Sequence, residues 1–103
     1  MQLRDHDLLC QPIIEYLADG ERPAWEIEDM LAMQFNVTDT ERTQRQPNSR
    51  MPVFTNDVAF ALKKLVEARR ITRVGARRAP GGGTRGIYRL GPAQKLVNRL
   101  LGE

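Results

Sequence analysis

Cysteine and histidine are nearly missing from this chain: Cys10 and His6 are the sole residues of their kinds among 103. One thiol cannot form an internal disulfide, and one thiol with one imidazole makes neither a thiolate zinc site nor an acid–base relay. Long apolar runs are also missing. Nothing approaches the ~18 consecutive apolar residues of a membrane-spanning helix, and Met1-Gln2-Leu3-Arg4-Asp5-His6-Asp7 lacks the apolar stretch of a signal peptide. These absences predict a soluble, cytoplasmic protein with no metal, no cofactor and no membrane partner. The length suits one domain spanning 1–103 with a single core and no added catalytic module. A metal-dependent nuclease would need carboxylates converging on one ion, yet Asp57 and Glu67 lie about 15 Å apart along one helix. Catalysis is therefore not expected.

Acidic residues are scarce in the second part of the chain. Residues 1–41 hold two basic side chains against ten acidic ones, whereas residues 42–103 hold fourteen basic against three acidic, so the net charge of +3 conceals a strong division. Such asymmetry points to one face for a polyanion and another that avoids it or meets a basic partner.

The apolar residues are periodic. Leu9, Ile13, Tyr16 and Leu17 share a face over 8–18, with Asp19-Gly20 as a stop and Pro12 either in the first turn or kinking the helix, so that it begins late. Pro23 suits the first position of a second helix striped by Ile27, Met30, Leu31 and Phe35, with Trp25 at its shoulder. Thr38-Asp39-Thr40-Glu41 has the form of a capping box and predicts a short helical turn. Residues 42–50 read as a polar, basic loop, either a mobile connection or a segment lying along DNA through Arg45 and Arg50. A third helix over about 55–69 buries Val58, Ala61, Leu62, Leu65 and Ala68, and turns Asn56, Phe60, Lys63, Lys64 and Glu67 outward. Ile71-Thr72-Arg73-Val74 and Ile87-Tyr88-Arg89-Leu90 predict two strands, joined by a basic, glycine-rich turn over 77–86. Gly81-Gly82-Gly83-Thr84-Arg85-Gly86 fits G-x-G-x-x-G but opens no helix, so it has no terminus to hold a pyrophosphate. Pro92 then opens a last amphipathic helix over about 92–101, with Leu96, Val97, Leu100 and Leu101 placed either to dimerise or to pack back on the chain.

This order predicts an α+β domain, mainly α: a winged helix-turn-helix with a three-helix core over 8–90, a two-stranded wing and a C-terminal amphipathic helix. The chain resembles the N-terminal winged-helix domain of Mrr-type restriction endonucleases. The likeness runs through Pro12 to Gly20, Glu28 to Thr38, Glu41-Arg42, Phe54 to Ala68 and Arg85 to Leu90. It implies a DNA-binding module that the family joins to a separate nuclease domain, here expected without that domain.

The functional expectation is double-stranded DNA bound with the third helix in the major groove and the wing (75–86) on backbone or minor groove. Asn56 is either an adenine contact or a helix cap, with Thr55 as the rival cap. Lys63 and Lys64 reach phosphate or guanine, and Arg73, Arg77, Arg78 and Arg85 serve the wing. Phe60 meets a thymine methyl, the 42–52 loop or a second subunit. The alternative is a protein–protein module that docks a separate nuclease or regulator through its acidic half.

Overall fold

Leu9, Ile13 and Leu17 repeat at four-residue spacing, and all three are fully buried in the first helix, α1 (His6–Leu17). They meet Ile27 and Leu31 of α2 (Ala24–Gln34), Val58, Ala61, Leu62 and Leu65 of α4 (Val53–Glu67), and Ile71 and Leu90 of the sheet in one core. Each such burial removes roughly 1.5–3 kcal/mol of apolar exposure, so this cluster sets the helix directions. The computed structural model describes residues 6–44, 52–92, 94 and 100. Between α2 and α4 lies α3 (Asp39–Thr43), and the strands are β1 (Arg22–Pro23), β2 (Ile71–Arg78) and β3 (Thr84–Leu90), in the antiparallel order β1-β3-β2. Among the described residues no helix is long and apolar enough to cross a membrane.

Several expectations need correction. Helix α1 starts at His6 and runs through Pro12. The proline removes only the hydrogen bond to the carbonyl of Leu8, whose side chain is 55% exposed, while the turn it continues buries Leu9. The sheet has a third strand, because Arg22 pairs with Tyr88 and Pro23 with Ile87. Pro23 is therefore the N-cap of α2 and not its first residue, with extended backbone at φ −74° and ψ 157°. The Arg22 guanidinium also stacks 5.2 Å from the Tyr16 ring centre, joining this strand to α1.

The capping box forms as expected: the Thr38 hydroxyl accepts from the Glu41 backbone N–H at 3.1 Å, and the Glu41 carboxylate accepts from that of Thr38 at 3.0 Å. The backbone N–H of Thr38 is the main cause holding the Glu41 carboxyl well below the usual carboxylate range. Helix α4 starts two residues earlier than expected, on Pro52, with no side-chain cap. Burying Phe54 draws that first turn in, so Thr55 and Asn56 lie inside the helix and neither caps it. Ala68, expected in the stripe, is exposed, and Asp57 takes a buried place instead. The C-terminal helix expected over about 92–101 falls mostly outside the described residues, and Leu96, Val97 and Leu101 with it; Leu100 is exposed.

Both α2 and α4 end in the same way. At each, one backbone N–H returns to a carbonyl five residues back (Val37 to Ala32, Arg70 to Leu65), which forces the residue before it into the left-handed region. Those residues are Asn36 at φ 53° and Arg69 at φ 60°. The turn after α4 sends the chain directly into β2.

Candidate nucleic-acid interface

The hairpin of β2 and β3 is longer than its apolar residues suggest. Ladder pairs continue through Ala76 with Gly86, Arg77 with Arg85, and Arg78 with Thr84, leaving only 79–83 as the turn. Half of the predicted turn over 77–86 is thus strand, since backbone pairing does not require apolar side chains. Gly82 and Gly83 take φ of 94° and 76°, and the Ala79 N–H donates to the Gly83 carbonyl at 2.9 Å, closing the loop. A bulge between Arg73 and Gly75 leaves Val74 unpaired. Pairing Arg77 directly against Arg85 sets like charges across the strands, which costs stability unless an anion lies over them.

Between the hairpin and the N-terminal half of α4 lies a cleft of about 390 Å³. Thr55, Ala59 and Leu62 of α4 form one wall, and Arg73, Thr84, Arg85 and Tyr88 of the hairpin form the other. Glu28 of α2 lines it as well. Its Oε2 accepts from Nη2 of Arg42 at 2.9 Å, while its Oε1 lies 3.7 Å from Nη2 of Arg85 and receives no hydrogen bond. Arg42 also donates to Asp29 at 2.7 Å. Burial works against the Arg42 charge, but the bonds to Asp29 and Glu28 prevail and raise its pKa. Gly86 is buried, and a Cβ there would lie 2.8 Å from Nε of Arg73 and 3.0 Å from the Tyr88 ring and hydroxyl. The missing side chain lets Arg73 lie across β3 toward the cleft.

The structure gathers Thr55, Arg73 and Arg85 around this cleft. Lys63 is exposed on the outer face of α4, with Asn56 half-buried and Phe60 49% exposed beside it. Lys64 lies on the far flank, along a groove shared with Cys10, Gln11 and Arg70. Arg77 and Arg78 are exposed on the outer strand. Arg45 and Arg50 fall outside the described residues. Glu28, Tyr88 and Gly86 were not expected to have a part; an acid flanked by distant arginines gives no local signal in sequence. Among the described residues no group of three His, Cys, Asp or Glu is arranged to hold a metal ion.

The architecture is an α+β one, mainly helical, with an arginine-bearing antiparallel hairpin beside an exposed helix. The Mrr N-terminal domain family matches residues 7–93, and the chain belongs to that family. Among solved structures, it is similar to a provisionally named transcriptional regulator from Thermoplasma acidophilum. The TM-score is 0.55 at 15% identity, covering 95% of this chain and 94% of that one. At that identity the likeness shows the fold alone. No curated protein matches the chain.

Proposed function

We propose that the domain is a winged helix-turn-helix that binds double-stranded DNA, with α4 in the major groove and the β2–β3 hairpin as a wing on the adjacent backbone or minor groove. The observation that carries this is the hairpin itself. Residues 71–90 contain five arginines and no acid, two of the arginines opposed across the ladder, beside a helix whose outer face presents Asn56 and Lys63. Such a surface is stable chiefly against a polyanion. The role is one of binding without catalysis or a cofactor, and a homodimer through 92–101 would pair two such surfaces. The Mrr N-terminal family and the regulator-like fold support this reading.

The test is fluorescence anisotropy of a labelled random-sequence duplex at several salt concentrations. Binding should weaken steeply with salt, and R77A/R78A/R85A should reduce the log–log slope by about 2.7 if each arginine neutralises one phosphate. An unchanged slope removes the hairpin from the interface. A second reading has its own observation: Glu15, Asp19, Glu21, Glu26, Asp29 and Asp39 are all exposed. They would offer a basic protein partner an acidic surface, and binding of that partner would survive neutralisation of the hairpin.

A further inference from the structure

Resting on the DNA-binding reading, we infer that the cleft between α4 and the hairpin is a site for one DNA backbone phosphate, and that Glu28 is an internal rival which holds Arg85 until the phosphate replaces it. Four observations converge. The cleft bears two guanidinium groups, Arg73 and Arg85, with the Thr55 side chain on its α4 wall. Its remaining lining includes Val58, Ala59 and Leu62, whose apolar surfaces offer no competing hydrogen bonds and lower the local dielectric beside an ion pair formed there. The Glu28–Arg85 contact is loose: 3.7 Å exceeds hydrogen-bonding distance, and Oε1 is buried without a donor. Arg42 meanwhile grips Oε2 at 2.9 Å, so Glu28 keeps a charge partner when Arg85 leaves.

The exchange is chemically favourable. A phosphodiester offers two non-bridging oxygens to the planar fork of Arg85, and so replaces one long ion pair with short charge-assisted bonds. Arg73, lying over Gly86, supplies the second cation. Glu28 therefore sets a threshold: an anion must outcompete a carboxylate already in place. It is a positioning residue that keeps Arg85 turned into the cleft in the free protein and lowers the affinity of the loaded one.

A double-mutant cycle on binding tests this. With the unaltered protein and a 20-bp random-sequence duplex, E28Q should tighten binding at least about threefold and leave the salt slope unchanged, because the number of phosphates neutralised is the same. R85A should weaken binding and lower the slope by about 1. In the R85A background E28Q should have almost no effect. Weaker or unaltered binding by E28Q overturns the proposal, and so does an equal gain in both backgrounds, which would mark a general charge effect. Failure of the unaltered protein to bind at low salt would overturn the DNA reading itself.

Because E28Q also weakens the Arg42 pair, a second measurement leaves the protein unchanged. In ¹H–¹⁵N spectra of the arginine Nε–H groups, the same duplex should shift Arg85 and Arg73 at one stoichiometry and leave Arg42 in place. A stationary Arg85 resonance, or Arg42 moving with it, would refute the exchange.

Discussion

The two strands of the hairpin carry the same charged side chain under different restraint. β3 is the central strand, held by β1 on one side and β2 on the other, and its Arg85 is half-buried beside Glu28. β2 is the outer strand: beyond Ile71 and Thr72 it is exposed, and although its backbone pairs with β3 as far as Arg78, no described acidic side chain forms an ion pair with Arg77 or Arg78. The inner strand thus fixes the position of a cation before any ligand arrives, while the outer strand offers cations free to adapt. Rigid placement favours one geometry of anion, and adaptable placement favours affinity for any polyanion.

The greatest disturbance should come from the residue that follows β3. A Cβ on Gly91 would lie 2.5 Å from the backbone carbonyl oxygen of Arg69, which has no freedom to retreat. Gly91→Ala should therefore destabilise the domain by about 3 kcal/mol and displace the inner strand, visible as a large fall in Tm. Removing the outer-strand charges instead, by R77A/R78A, should leave Tm level or slightly higher, because the Arg77–Arg85 repulsion is lost. Its effect falls on binding, where the salt slope should drop by about 1.8. If Tm fell sharply, the outer strand would be structural and the contrast would fail.

Gly86→Ala separates the strands more finely. The same added methyl meets side chains, Nε of Arg73 and the ring and hydroxyl of Tyr88, rather than backbone, so Tm should fall less than for Gly91→Ala while duplex affinity falls a few-fold as Arg73 is pushed aside. The smallest effect lies away from both strands. The Glu41 carboxyl is lowered to about 2 from an ordinary 4.5, so its capping contribution is complete above the unfolded value and is lost as pH falls from about 4.5 toward 2. Amide exchange should quicken in α3 over that window while β2 and β3 keep their protection. Equal loosening of all three would mean that α3 and the hairpin open together.

Much of this arrangement was legible in local spacing. The capping box needs only Thr38 and Glu41, three residues apart, and the stripe of α4 follows helical period through Val58, Ala61, Leu62 and Leu65. Features that depend on distant partners were hidden. β1 exists because Tyr88 and Ile87 offer backbone groups to Arg22 and Pro23, and two residues of strand have no periodicity to read. Arg77, Arg78, Thr84 and Arg85 look like a loop because β-propensity describes side chains, whereas the ladder that holds them uses backbone. Glu28 gives no local sign of its partners. Its meeting with Arg42 and Arg85 depends on how α2, α3 and β3 converge, which no neighbouring residue encodes.

The backbone N–H of Val53 donates to the carbonyl of Gln44 at 2.8 Å, so the end of α3 and the start of α4 are clasped to each other. Doubling the length of a flexible loop costs only about 0.6 kcal/mol in closure entropy. With those two ends already clasped, an engineer can graft a recognition peptide between Gln44 and Val53 without renegotiating the core.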